Sequence, residues 1–273
     1  DRMAFLIADI KKMGIEILPP DINFSSANFT PESAAVRFGL SAIKNVGTNI
    51  VQAIINNRQQ QGQFKNLPEF LNRVQHKDLN KKSLESLIKC GALDCFSLER
   101  NRLLTNIEEI IKFNSALKKA SQSNQIGLFG GASENANLKL KPATPATAPM
   151  KLAWEKELLG LYVSDHPLNR YRMQMTNAHV KPIKEILEVK SEAEKFNVGG
   201  LVTRAQKIIT KTGKPMLFAK IEDFSHSIEI VVFPSTYEQT LAVWREGAAV
   251  LINGKVSLRD AEPKIICDRA MEM

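Results

Sequence analysis

The sequence predicts an α+β multidomain chain: a helical domain of two short helix–hairpin–helix units, a polar linker, and a five-stranded β-barrel. Three observations carry that expectation. Between residues 36 and 118, apolar residues recur at helical spacing with repeated glycine breaks. Residues 121–150 are rich in Ser, Asn, Ala, Pro, Thr and Gly, a composition that does not build a core. From Phe196 onward the apolar period switches to two, as in strands with one buried face.

Taken in order, residues 1–13 have a helical apolar face (Met3, Phe5, Leu6, Ile7, Ile10, Met13), ended by Gly14. Residues 15–18 run extended into Pro19-Pro20, which forbids further helix. A short helix over 38–43 is broken at Lys44-Asn45-Val46-Gly47, after which Thr48 is expected to cap a helix carrying Ile50, Val51, Ile54 and Ile55. A similar unit follows: Leu79, Leu84, Leu87 and Ile88, then Lys89-Cys90-Gly91-Ala92-Leu93. One longer amphipathic helix is expected over 100–119. Beyond the linker come a helix over 152–161 and a short helical stretch from Pro167, capped by Ser164 or Asp165.

The inward candidates of the last region are Val198, Leu201, Ile208, Ile209, Leu217, Ala219, Ile221, Ile228, Ile230 and Val232. Turns fall at 211–214 and 223–226, a helix at 235–245, and strands at 249–258 and 263–268. Three strands, a helix and two more strands match the OB-type barrel. The expected domain bounds are therefore 1–35, 36–120, a flexible linker over 121–150, a helical connector over 151–195, and the barrel over 196–273.

Composition narrows the class of function. Hydrophobic content of 44% and charged content of 24% are those of an ordinary globular protein. No apolar run of about 18 residues is present, so no membrane partner is expected. Cys90, Cys95 and Cys267 lack metal-type spacing, which points to a reduced, cytoplasmic protein with no metal site. The start lacks both an initiator Met and a signal-peptide layout, so a piece of a longer protein is expected. The net charge of +8 suggests an anionic partner. It is unevenly placed: residues 39–102 carry ten Lys/Arg against five Asp/Glu, residues 196–273 ten against nine.

The first hairpin carries the clearest chemistry. A turn that leaves the start of a helix open presents unsatisfied amides and a partial positive charge, which suit a phosphate. Gly47 is expected to permit the turn, Lys44 to add charge, and Asn45, Val46 and Thr48 to offer amides. Such contacts hold a nucleic-acid backbone without reading sequence. The second unit, with Lys89 and Gly91, is the poorer match: it fits a second phosphate contact or a purely structural repeat. In the barrel, Arg204, Lys207, Lys211, Lys214 and Lys220 cluster in the first two strands with Phe218 among them, which suits weak single-strand binding. Phe224 is the other aromatic positioned for stacking. No phosphate loop and no paired carboxylates in a strand–turn setting appear, so no catalytic residue is expected in this chain.

Gln125-Ile126-Gly127-Leu128-Phe129 stands apart. Two large hydrophobes in a polar segment, with a glutamine three residues ahead, suit a linear peptide that inserts into another protein's pocket. The pattern resembles the Gln-x-x-Leu-Phe peptide by which bacterial polymerases hold the sliding clamp, with Gly127 where a small polar residue is usual.

In collinear order, further stretches resemble one family, the alpha subunits of bacterial DNA polymerase III, the family C replicative polymerases. They are residues 14–23 (Gly-Ile-Glu-Ile-Leu-Pro-Pro-Asp-Ile-Asn), 38–47 and 84–94. Residues 154–168 (through Ser-Asp-His-Pro-Leu), 199–202 and 229–234 continue the match. The resemblance implies the C-terminal region after the fingers. Residues 1–35 would then end the fingers, a tandem helix-hairpin-helix domain would grip duplex DNA, Gln125, Leu128 and Phe129 would bind the clamp, and the OB domain would follow. It implies a parent DNA-directed DNA polymerase using Mg, with single-stranded template and other holoenzyme subunits as further partners. The catalytic residues would lie upstream and no cofactor would bind this fragment. The contrasting expectation is a free-standing OB-type adaptor for single-stranded DNA or tRNA.

Overall fold

The Pro19-Pro20-Asp21-Ile22-Asn23 run shows what its residues do once the chain is folded. The computed structural model describes residues 10, 13–122, 138–192, 194–259 and 262–273. The expected helix over 1–13 falls almost wholly outside them, as does the Gln125–Phe129 peptide. Asn23 pairs with Phe64 as a backbone segment would: its Nδ2 donates to the Phe64 carbonyl (2.9 Å) and its Oδ1 accepts the Phe64 N–H (2.8 Å). Asp21 accepts the Asn23 N–H (2.6 Å). Burial raises the Asp21 pKa although Arg37 and Arg58 lie nearby.

The chain divides into two compact units, one from Ile15–Ser164 and one from Asp165–Met273 together with the segment up to Gly14. The first opens with a small sheet in the order β1-β3-β2, built from β1 (Glu16–Leu18), β2 (Thr30–Glu32) and β3 (Ala35–Arg37). A turn of 3-10 helix at Leu40–Ala42 follows, then α1 (Thr48–Gln61), α2 (Leu67–Arg73) and α3 (Lys81–Lys89). α2 begins at Asn66, whose side chain accepts the Glu69 N–H. Ile50, Val51, Ile54 and Ile55 of α1 and Leu84, Leu87 and Ile88 of α3 are buried, each contributing about 1.5–3 kcal/mol. Burial also pushes the Cys90 thiol up to about 12, so it packs as a small apolar group.

Two expectations need correction here. The single helix over 100–119 is two, α4 (Arg100–Thr105) and α5 (Ile107–Gln122), broken at buried Asn106. The Asn106 side chain donates to the carbonyls of Arg102 (2.8 Å) and Lys141 (2.9 Å) and accepts the Lys141 N–H (2.9 Å). An asparagine that bonds main chain in this way competes with the helix ladder.

The second correction concerns the linker. Its later part, from Leu138 to Met150, is not a free linker but a strap on the helical unit. Asn101 donates to the Thr144 carbonyl (2.7 Å), Arg102 to that of Leu140 (2.8 Å), and the Ala146 N–H to Glu99 (2.9 Å). Ala146 is buried. This proline-rich segment is held by side chains of α4 and of Glu99 and Asn106 that flank it. The strap leads into α6 (Ala148–Leu159), capped by Thr147 and closed by Gly160 in the left-handed region.

Early in the second unit the His166 Nδ1 accepts the Leu168 N–H (3.2 Å), so His166 caps the turn at Pro167–Tyr171 in place of Ser164 or Asp165. Helices α7 (Arg172–Asn177) and α8 (Ile183–Leu187) precede a closed barrel, ordered β4-β5-β6-β8-β7. Its strands are β4 (Lys195–Ile209), β5 (Pro215–Glu222), β6 (Ser227–Val232), β7 (Ala249–Ser257) and β8 (Lys264–Glu272). Helix α9 (Pro234–Gln239), shorter than expected, lies between β6 and β7. β6 and β8 pair in parallel and the other neighbours antiparallel. Gly254 sits at a bulge in β7, where a Cβ would collide with the Ile266 carbonyl.

Of the inward candidates, Val198, Leu217, Ala219, Ile221, Ile228, Ile230 and Val232 lie in the barrel core; Leu201 is buried outside that cluster and Ile208 is half-buried. Ile209 is 63% exposed, because the end of β4 and the start of β5 run on as a ribbon past the closed part. Asp223, buried, accepts the amides of Ile183, Ser225 and His226 (each 2.8 Å) and so ties the preceding helix to the barrel.

Candidate nucleic-acid interface

The first hairpin leaves one helix end open. Gly47, not Thr48, is the N-cap of α1, and no side chain caps this end. The first helical bond is the Val51 N–H to the Gly47 carbonyl (3.2 Å), which leaves the amides of Thr48, Asn49 and Ile50 without an intrahelical acceptor. Thr48 and Asn49 are exposed, and no acidic residue lies in the first turn. Gly47 has an ordinary extended conformation (φ −74°), and a Cβ there would stand in open space. The left-handed residue that makes the turn is Asn45 (φ 67°), braced by a bond from its Nδ2 to the Ser86 hydroxyl (3.2 Å).

Of the three expected amides, that of Val46 is already used, and so is the Lys44 amide beside it. The Lys44 N–H donates to the Leu158 carbonyl (3.0 Å) and the Val46 N–H to that of Ile43 (3.2 Å). Lys44 offers its exposed side chain instead. Asp78 stands close by, accepting from Asn49 (3.4 Å) and lying 3.7 Å from His76.

The second hairpin faces inward. Gly91 is buried with φ 85°, and a Cβ there would collide with the Arg100 guanidinium. Arg100, only 6% exposed, donates to both Asp94 oxygens (2.6–3.1 Å) and to the Lys89 carbonyl (3.0 Å). It also lies 3.5 Å from Glu155 of α6. Glu155, 1% exposed, accepts the amides of Val163 and Ser164 (both 2.9 Å). Sequence reading missed Arg100 and Glu155. The signal available was the helical spacing of Glu155 with Leu152, Leu158 and Leu159; nothing in the sequence sets Arg100 apart from Arg102.

On the barrel, strand register sorts the cationic cluster. Arg204, Lys220, Glu229 and Lys264 face one another across β4, β5, β6 and β8, and Gln206, Phe218, Val231 and Ile266 form the next row. Thus Arg204, Phe218 and Lys220 share the outer face. Lys207 has the opposite parity, paired with buried Leu217, while Lys211 and Lys214 lie at the exposed hairpin tip. Phe224 is engaged within the unit: its ring lies 4.9 Å from His166 and 4.5 Å from the Arg172 guanidinium. Lys264 and Glu229 are additions from distant strands that sequence reading did not place in the cluster.

An open helix end after a hairpin and a cation-bearing OB barrel define a chain of two nucleic-acid-binding modules. Residues 14–103 match the helix-hairpin-helix motif family, and residues 196–272 match the OB-fold nucleic acid binding domain family. Over nearly the whole chain, the similarity is to DNA polymerase III subunit alpha. It is 35% identical over 277 residues to that of Mycobacterium tuberculosis (98% of this chain, 23% of the relative). For Bacillus subtilis the figures are 36% over 273 residues (99% and 24%), and for Borreliella burgdorferi 30% over 279 (100% and 24%). The chain belongs with the C-terminal region of these alpha subunits and spans about a quarter of the length of the curated relatives it matches.

Among the described residues, no three His, Cys, Asp or Glu side chains group to hold a metal ion. No helix among them is long and apolar enough to cross a membrane.

Proposed function

We propose that this chain is the DNA-binding and sliding-clamp-binding region of a replicative, cytoplasmic DNA polymerase. It grips duplex backbone behind the active site and tethers the enzyme to the clamp. The observation that carries the reading is the uncapped start of α1, with three unpaired amides and exposed Lys44 beside them. A phosphate is the ligand such an end takes. The barrel face of Arg204, Phe218 and Lys220 guides single-stranded template weakly. Gln125, Leu128 and Phe129 hold the clamp. Catalysis, the magnesium it uses and contacts to other holoenzyme subunits belong to the rest of the parent polymerase.

Duplex binding measured across a salt series and on unrelated sequences tests the grip. Affinity is expected to fall steeply with salt and to ignore sequence. A flat salt response or strong sequence preference overturns it. For the tether, the chain is bound to purified bacterial sliding clamp beside a Leu128→Ala/Phe129→Ala variant. Loss of binding in the variant alone is expected. Equal binding of both, or binding by neither, removes the peptide as the tether.

A further inference from the structure

Where β4 pairs with β7, the barrel carries a cavity that neither DNA-binding reading uses. It measures about 540 Å³ and is walled by His179, Lys181, Glu185, Lys195, Asn197 and Asn253. That size lies within the range of small-molecule sites, about 300–1,000 Å³. A chain of hydrogen bonds fixes the direction of its amides. The Ala178 carbonyl can only accept, so the Asn197 Nδ2 must face it (2.7 Å). The Asn197 Oδ1 then accepts the Asn253 Nδ2 (2.8 Å). Among the described residues nothing donates to the Asn253 Oδ1, which is left as an oriented acceptor at the cavity.

The cations are sorted as well. Lys195 is matched by Asp268 (2.7 Å). Among the described residues the Lys181 ammonium meets no carboxylate, and it lies 4.6 Å from the Phe196 ring centroid, which steadies it at the wall. His179 stands left-handed (φ 50°) just past α7, where the Val180 N–H donates to the Met175 carbonyl (3.0 Å). Glycine is the ordinary occupant of such a position, so a histidine there gives up backbone ease and sets a ring at the cavity. Glu185 is an exposed acid on the same wall.

We propose that this cavity binds a nucleoside monophosphate. The phosphate sits on Lys181 and His179, and N–H or O–H groups of base and sugar donate to the Asn253 Oδ1 and the Glu185 carboxylate. The mixture of signs makes the choice. Inorganic phosphate brings charge alone and meets Glu185 as a like charge. A nucleoside brings donors alone and leaves Lys181 unmatched. A nucleoside monophosphate, free or as the phosphorylated end of a strand, supplies both within one small cavity. The site lies on register rows apart from Arg204, Phe218 and Lys220, so it stands independently of the single-strand reading.

The full chain would be titrated with deoxyadenosine monophosphate, followed by calorimetry and by amide chemical shifts. Millimolar or tighter binding is expected, with deoxyadenosine and inorganic phosphate each weaker by about tenfold, the size of one charged hydrogen bond. Shifts should gather at His179, Lys181, Asn197 and Asn253. Lys181→Gln should weaken the monophosphate about tenfold and leave deoxyadenosine unchanged. Lys181→Arg, which keeps the charge, should restore binding, and Lys220→Gln on the other face should bind as wild type. The site is overturned by no binding, by equal binding of inorganic phosphate, by an unaffected Lys181→Gln, or by loss of binding in Lys220→Gln. Competition by an end-phosphorylated oligothymidylate, but not by its hydroxyl-ended form, assigns the ligand to strand ends. Competition by neither assigns it to the free nucleotide.

Discussion

The two hairpins of the helical unit begin from similar residues and end in opposite roles. Gly47 looks onto open space in front of unpaired amides, whereas Gly91 is left-handed, buried and packed against a guanidinium. In the second hairpin the cation is internal: Arg100 joins the Lys89 carbonyl, Asp94 and Glu155 into one network. The first hairpin commits its Lys44 amide to the Leu158 carbonyl of α6, and the second meets Glu155 of the same helix. One helix from beyond the strap therefore braces both hairpins, but only the first keeps an open helix end. A repeat can divide its labour: one copy faces the ligand while the other holds the scaffold that aims it.

The largest effects should come from breaking the inward copy. Arg100→Ala leaves buried Glu155 without its cation and is expected to cost about 3–5 kcal/mol in denaturant unfolding; Glu155→Ala leaves Arg100 its Asp94 partner but strips the Val163 and Ser164 amides of their acceptor, and should cost about 1–3 kcal/mol. Gly91→Ala should cost more than ~2 kcal/mol, from left-handed strain and the collision with Arg100. Gly47→Ala, by contrast, should cost no more than about 1 kcal/mol. Equal losses at the two glycines would erase the distinction.

Next in size is the duplex contact itself. Lys44→Glu is expected to weaken duplex binding about tenfold on every sequence and to flatten the salt slope by about 0.9 for each phosphate that is no longer neutralised. Lys89→Glu should change neither, and an equal weakening there would make the second hairpin a contact too. A smaller gain is expected at Asp78, the carboxylate beside the open helix end. Asp78→Asn should tighten duplex binding about two- to threefold, the size of a helix-end charge effect.

The smallest effect concerns the strap. Burial alone would raise the Glu99 pKa, but the amides of Ala146, Arg102 and Asn101 and the charge of Lys151 hold it below the ordinary 4.5. A carboxylate lowered in this way stabilises fully above its unfolded pKa and loses that contribution as pH falls through the folded value. The protection factor of the Ala146 amide, its exchange rate corrected for the intrinsic pH dependence, should therefore fall below about pH 4.5, and Glu99→Gln should remove that pH dependence.

Much of this was legible in the sequence, because period and punctuation are local. The switch from helical spacing to alternation at Phe196 marks the barrel, and the glycine-broken apolar runs mark the hairpins. What was hidden depends on residues far apart in the chain. Residues 138–150 read as linker because their composition lacks a core, yet their partners are Glu99, Asn101, Arg102 and Asn106, about forty residues away. The role of Gly47 was misjudged for a similar reason. A glycine before a helix suggests a strained turn, whereas the strain falls on Asn45 and Gly47 supplies space. Lys264 and Glu229 joined the cationic face through strand register, which alternation alone does not specify.

The strap also sets a leash. Gln122 ends a helix of the first unit and Leu138 begins the segment bonded back onto it, so the fifteen residues between them leave and return to one body. A partner gripped between those two ends would be tied to the helical unit at both of them. It moves with that unit as a passenger on a short rein.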